Sequence, residues 1–389
     1  MENFIFQSPT KFILEPQAIR LAGEEAARIS SRVLLIHYGD EFIHSSGLRD
    51  LVVSSLEQAG VHFEELAGVT PNPSINKVYE GAKLCKEHDI GCLLALGGGS
   101  VIDTAKAIAL GAMYNGDAWD FFTGAAQPEK ALPIGVVMTL PATGSEGSNG
   151  AVITNEETRE KRDVMSDVIR PRFVLMSPEI TLGISPEQTA YGIVDMFSHV
   201  TERYFSSSVN TELTDRLCEG VMKAIIENAK ILLVDPGNYH ARADLMWASI
   251  IAHNGLLGTG RNQDWATHMI GAPLSAEYNA AHGATISVLL PVWAEYVFDA
   301  NVKRFAQFAT RVFGVELDFY DEKRTALEGI ARLSSFLKQL RLPATLGEIG
   351  IATSEKFEKM ANEACRYGSV GGLKVLRQSD VVNIYANAL

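Results

Sequence analysis

The sequence predicts an α/β N-terminal domain built on a parallel sheet, followed by an all-α C-terminal domain. Three observations carry this. Short apolar runs alternate with helical patterns over the first half of the chain, which implies βαβ units. After Ser185 long helical patterns follow one another and few strand signals remain. The chain has 389 residues, 47% of them apolar, enough for two cores. The expected domains are therefore 1–184 and 185–389.

Taken in order, "RVLLIHY" reads as a buried strand and "LRDLVVSSLEQAG" as a helix. "VHFEEL" is a strand, "GVTPNPS" a turn-rich link and "SINKVYEGAKLCKEHD" a helix. "IGCLLALGGGS" is a strand running into a Gly-rich loop, and "VIDTAKAIALGA" is the helix after it. "LPIGVVMTLP" and "RFVLMSP" are the last clear strands. Helices are then expected at 186–205, 211–234, 240–258, 263–272, 282–298, 301–313 and 322–340. There is no fixed-period repeat.

The formal net charge is −13, from 34 basic and 47 acidic side chains, which disfavours nucleic acid and anionic membranes as partners. A small anionic cofactor held by backbone amides remains compatible with it. Cys85, Cys92, Cys218 and Cys365 are scattered and read as reduced thiols of a cytoplasmic protein. The N-terminus lacks a signal-peptide pattern, and no apolar run approaches the roughly 18 residues of a membrane span.

Two loops draw attention. Gly97, Gly98 and Gly99 lie between a strand and a helix that Ser100 can cap, with Asp103 three residues on. Such a loop is either a tight turn or a pyrophosphate cradle at a helix N-terminus; the βαβ context favours the cradle. It has neither the Lys-Ser/Thr of a P-loop nor a full GxGxxG, because Ile102 replaces the last glycine. "TLPATGSEGSNG" carries Thr139, Thr143, Ser145 and Ser148, and reads equally as a surface loop or as part of the same crevice.

The second half carries a metal-type constellation. Ser185 and Gln188 make a capping box with Pro186 at the first helical position. One stripe of that helix then holds Gln188, Gly192, Asp195, His199 and Glu202. His268 and His282 sit in apolar settings, with Pro273 and "EYNAAHG" suggesting a turn between their helices. Each histidine alone is more often a satisfied core residue, and Asp195–His199 alone reads as a surface pair. Together, Asp195, His199, His268 and His282 suit a divalent first-row metal, which would also relieve a buried carboxylate.

"GGGSVIDTAKAIA", "TLPATGSE", "GIVDMFSHVTE" and "DWATHMIG…NAAHG" resemble the iron-containing (group III) alcohol dehydrogenases. "DWATH" is similar to the butanol dehydrogenase and broad-specificity aldehyde reductase branch. The resemblance runs in order over nearly the whole chain. It implies a Rossmann-like N-terminal domain within a dehydroquinate synthase-like architecture. It implies NAD(P)-dependent interconversion of a small alcohol with an aldehyde or ketone, with Fe2+ or Zn2+ on Asp195, His199, His268 and His282 as both metal ligands and catalytic residues. It places dinucleotide contacts at Gly97 to Ser100, Asn72, Asp103, Thr139, Thr143 and Lys161, and an outer-shell role at Glu202.

Two departures stand out. Many members carry another histidine four residues after His268, where this chain has Ala272, so no proton relay is carried over. NADP-using relatives have "YGGGS" where this chain has "YGDEF". Asp40 and Glu41 would repel a 2′-phosphate and favour NAD(H) over NADP(H); the alternative is that they cap the next helix. A glycerol-dehydrogenase-like polyol enzyme and a non-catalytic metal- and nucleotide-binding subunit are the competing readings. A homodimer is expected from base rates.

Overall fold

The computed structural model describes residues 1–389. Eight strands form: β1 (Lys11–Leu14), β2 (Arg32–His37), β3 (His62–Leu66), β4 (Cys92–Gly97), β5 (Ile134–Met138), β6 (Gly150–Asn155), β7 (Glu160–Met165) and β8 (Phe173–Met176). Six of them make one parallel sheet in the order β1-β8-β5-β4-β2-β3. The apolar runs are explained by two-sided burial: β4 is buried at every position. Alternate residues serve opposite layers. Leu34, Ile36, Leu93 and Ala95 belong to one core, and Val33, Leu35, Cys92 and Leu94 to the other.

Helices α1 (Ala22–Ala27), α2 (Glu41–Ser45) and α3 (Leu48–Gln58) close one face through Ala22, Ile43, Val52 and Leu56. Helices α4 (Ile75–Glu87), α5 (Gly99–Ala112) and α6 (Asp120–Thr123) close the other through Val78, Ile102, Ile108 and Phe121. The chain runs outward from β2 to β3, then returns to β4 on the other side of β2. Such a reversal opens a crevice at the strands' carboxyl ends, beside Tyr38–Asp40 and Gly97–Gly99.

Two features escape the sequence pattern. β1 is a four-residue edge strand with no fully buried position. β6 and β7 form a separate antiparallel hairpin, and β7 reads "EKRDVM", too charged to signal a strand. Ser100 does not cap α5: Gly98, in extended conformation, holds that position and the helix starts at Gly99.

The remaining helices are α7 (Pro186–Tyr204), α8 (Glu212–Val234), α9 (Tyr239–His253), α10 (Ala266–Tyr278), α11 (His282–Val297), α12 (Val302–Phe313), α13 (Glu322–Gln339), α14 (Phe357–Ala364) and α15 (Gln378–Asn387). None is long and apolar enough to cross a membrane. α9 stops at His253 rather than 258, before Gly255 at φ 100°. α10 runs through Pro273 and ends at Tyr278, so the turn lies at Asn279–Ala281, within the expected EYNAAHG segment and not at the proline.

The chain forms two compact units. One is Ser8–Ser185 with Gly237–Ile250; the other is Met1–Gln7, Pro186–Pro236 and Ile251–Leu389. This differs from a single division at 184/185 in two segments. The N-terminal amine bonds to Val209 O, and Glu2 N bonds to Gly260 O, which ties residues 1–7 to the helical unit. Met246 and Ile250 enter the core of the α/β unit, and Trp247 meets Phe12 edge-on at 5.6 Å.

The α/β unit is pinned by a buried cation. Lys106 of α5 is fully buried, and its Nζ donates to the carbonyls of Ser145 (2.6 Å), Ser148 (3.0 Å) and Gly150 (2.7 Å). Burial pulls its pKa down to about 8. Lys106→Met should strand three interior acceptors and cost about 3–5 kcal/mol. Urea unfolding followed by far-UV circular dichroism checks this; a loss below about 1 kcal/mol would contradict the clamp.

Candidate active site

Helix α7 is buried almost continuously from Gly192 to Tyr204, so Asp195 and His199 point into protein rather than solvent. His268 comes from α10, and His282 opens α11. α11 can start against α7 because residue 283 is glycine: a Cβ there would lie 2.6 Å from that of Tyr191. The result is a crowd of imidazoles around one carboxylate. From Asp195 Oδ1, His282 Nε2 lies at 3.4 Å, His268 Nε2 at 3.7 Å and His199 Nδ1 at 3.9 Å. Ligand atoms of Asp195, His268 and His282 all lie within 4.8 Å of one another. His199 stands outside that trio, its ring stacked on His268 at 4.6 Å.

The polar atoms in this cluster fit a divalent cation. Asp195 Oδ1, His199 Nδ1 and His268 Nε2 are buried with no hydrogen-bond partner. Burial pushes the Asp195 carboxyl up, but the imidazoles gathered around it outweigh that and hold it well below the usual carboxylate range. Burial, opposed by Asp195, holds His199 well below 6.5 and therefore neutral. For His268, burial lowers the pKa, yet Asp195 and Glu202 prevail and raise it to about 9. Without a metal, a proton on His268 screens two buried carboxylates; a cation can replace it.

Glu202, one turn past His199, orients His268. Its Oε1 faces His268 Nδ1 at 2.9 Å and accepts from His268 N at 3.1 Å and from the Thr267 hydroxyl. With Nδ1 so engaged, Nε2 is turned toward Asp195. One residue of this cluster, His253, gave no sequence signal, whereas Trp265 belongs to the DWATH segment. His253 of α9 sits edge-on to His199 at 4.2 Å. Trp265 holds the left-handed backbone region (φ 63°), with Arg203 stacked 4.6 Å over its ring and His268 at 5.3 Å. Ala272 lies one turn beyond His268 on α10 and brings no imidazole. Phe197 is a core residue against Phe336 at 5.8 Å.

The residues expected to meet a dinucleotide lie in the α/β unit, mostly just past strand ends. Gly97 ends β4, and the amides of Gly99 and Ser100 open α5 with their partial positive charge. Thr139 follows β5, where its amide bonds to Gly97 O at 3.1 Å. Thr143 Oγ1 accepts from Ser145 N at 3.1 Å. Lys161 of β7 reaches back to Asn72 Oδ1 at 3.0 Å. Asp103 is partly buried; Ser145 Oγ donates to its Oδ1 at 2.6 Å and Val152 N to its Oδ2 at 2.9 Å. It thus orients the second loop. Asp40 does cap α2, with Oδ1 accepting from Ile43 N at 3.0 Å, while remaining exposed. The Tyr38 hydroxyl lies against the Gly-rich turn, 3.6 Å from where a Cβ at Gly98 would stand.

Comparison with known proteins identifies the family. Residues 9–178 match the model of the iron-containing alcohol dehydrogenases, and residues 189–389 match the C-terminal model of that family. The chain is 42% identical to the probable NADH-dependent butanol dehydrogenase 1 of Bacillus subtilis, over 100% of both chains. It is 37% identical to the NADPH-dependent aldehyde reductase YqhD of Escherichia coli, over 90% of both. The crystal structure of NADH-dependent butanol dehydrogenase A from Thermotoga maritima superposes with a TM-score of 0.94 at 38% identity, covering 100% of this chain and 99% of that one. The chain belongs to the iron-containing alcohol dehydrogenase family.

Proposed function

We propose that the protein reduces a short primary aldehyde, butanal or one of similar size, to its alcohol, and runs the reverse reaction. It would use NADH in preference to NADPH and one divalent metal, Fe2+ or Zn2+, on Asp195, His199, His268 and His282. The broader activity, an NAD(P)-dependent alcohol dehydrogenase or aldehyde reductase, follows from family membership. The metal assignment is carried by the buried Asp195 oxygen and the His199 and His268 nitrogens that meet no hydrogen-bond partner. The choice of butanal is supported by full-length relatives named for butanol. The NADH preference is supported by the exposed carboxylate of Asp40 just past β2, where a 2′-phosphate would be repelled.

When bound, the metal supplies a Lewis acid for the substrate oxygen and the nicotinamide supplies the hydride chemistry. The chain's own residues prepare both. Glu202 keeps the His268 Nδ1 proton and so directs Nε2. The α5 N-terminus offers amides to a pyrophosphate, and Lys161 offers a cation held by Asn72. Burial of Asp195 and His199 excludes water from the ligand side. The four free thiols are compatible with a cytoplasmic home, and a homodimer is the assembly proposed.

Metal content and turnover test the centre. His268→Ala should lose both the bound metal and the activity; unchanged metal content would remove His268 from the ligand set. Glu202→Gln should keep the metal site but weaken affinity by about 10–100-fold, read by competition with a chelating dye. Steady-state kinetics with butanal, glycerol and a sugar phosphate, each with NADH and NADPH, should give the highest kcat/KM for butanal with NADH. A higher value with glycerol would favour a polyol dehydrogenase.

A further inference from the structure

The turn that carries Asp40 is held from beneath by a chain of charges and hydrogen bonds outside the site described above. His37, the last residue of β2, is fully buried. Its Nδ1 accepts a hydrogen bond from Gly39 N at 2.9 Å. Its Nε2 lies 2.7 Å from Glu65 Oε1 on β3. Arg49 of α3 grips the same carboxylate along one edge of its guanidinium, Nε donating to Oε1 at 2.9 Å and Nη2 to Oε2 at 2.6 Å. The Arg49 hydrogen bonds hold the Glu65 carboxyl down at about 2, so Glu65 is an acceptor at any ordinary assay pH. One acceptor, Glu65, and one donor, the Gly39 amide, then determine the imidazole. Nε2 must carry the proton toward Glu65, and Nδ1 must offer its lone pair to Gly39.

Gly39 is the joint. Its φ of 71° lies in the left-handed region, and a Cβ there would meet Ala67 Cβ at 3.0 Å and Gly68 N at 3.1 Å. The amide captured by His37 therefore sets the direction in which the chain leaves β2. The next residue is Asp40, whose carboxylate caps α2 through Ile43 N and whose carbonyl accepts from His44 N. Gly68 N donates to Tyr38 O at 2.9 Å and closes the other side of the turn.

We propose that the relay Arg49–Glu65–His37–Gly39 positions the Asp40 turn and thereby determines the discrimination between NADH and NADPH, with His37 as its positioning residue. This inference rests on the NADH preference proposed above. His37 touches neither coenzyme; it works through the direction of one backbone amide. The coenzyme distinguished is the one bearing a free 2′-hydroxyl, which an anchored carboxylate accepts and a displaced one does not.

The two ring nitrogens can be replaced separately. His37→Asn puts an amide oxygen near the place of Nδ1 and retains an acceptor for Gly39. His37→Gln puts its amide near Nε2 and leaves the Gly39 amide without one. Full-length enzyme is assayed with saturating butanal, and KM and kcat are measured for both coenzymes. His37→Gln should raise KM for NADH about tenfold, the scale of one lost buried hydrogen bond. KM for NADPH and both kcat values should stay within about twofold. His37→Asn should keep the wild-type ratio of the two KM values. A ratio unchanged in His37→Gln overturns the inference, as does an equal loss in His37→Asn. If His37→Gln yields no folded protein, Arg49→Gln decides, with a shift of about threefold in the same direction expected and an unchanged ratio counting against the relay. A wild-type preference for NADPH would overturn the NADH reading and this inference with it. A wild-type NADH preference that keeps its full size in His37→Gln overturns this inference alone.

Discussion

A carboxylate oxygen in the protein interior with no hydrogen-bond donor is a costly arrangement, and Asp195 Oδ1 is in that position. Three imidazoles approach it to within 3.4–3.9 Å without bonding to it. A shell of lone pairs around an anion is unfavourable unless a cation or a proton lies among them. The helical unit is organised around that requirement. Burial of α7 denies Asp195 its water, the glycine at 283 lets α11 bring His282 close, and Glu202 spends its charge on orienting His268. The destabilising arrangement is itself the means of holding a metal.

The α/β unit meets its own version of the problem differently. Its buried and partly buried charges are matched by the chain's own groups. Lys106 is surrounded by carbonyls and hydroxyls from the 145–150 turn, and Asp103 is held by Ser145 and Val152. This leaves the backbone rigid where it must be: the Gly-rich turn into α5 and the loop after β5 are braced from below. The same economy governs β2, where a fully buried histidine is paired at both nitrogens and so fixes the turn after it. Rigid support beneath an exposed loop is what lets backbone amides and one carboxylate act as recognition groups.

Much of this was legible in the sequence. The apolar runs of β2, β4 and β5 and the long helical periods from α7 to α13 stand in the structure close to where the patterns put them. Asp195 and His199 announced themselves because one helical turn separates them. The miss at β7 has a plain cause: a hairpin with charged residues on an exposed strand carries no period-two apolar signal. Ser100 failed as a cap because Gly98 can adopt the extended conformation first and takes over the role. Residues 1–7 and 237–250 crossed the expected boundary because compactness follows packing partners rather than chain order.

The sequence by itself determined most of the elements, the family and the residue types able to hold a metal, since periodicity, capping and motif spacing act within a few turns of chain. Only the tertiary structure decided which atoms meet. It drew Asp195, His268 and His282 into one trio and left His199 stacked beside it. It put Glu202 on His268 across 66 residues, brought His253 and Trp265 to the same rings, and joined Arg49, Glu65 and His37 beneath Asp40. These pairings are set by how helices and strands pack, and packing depends on side-chain volume and close approach between segments far apart in the chain.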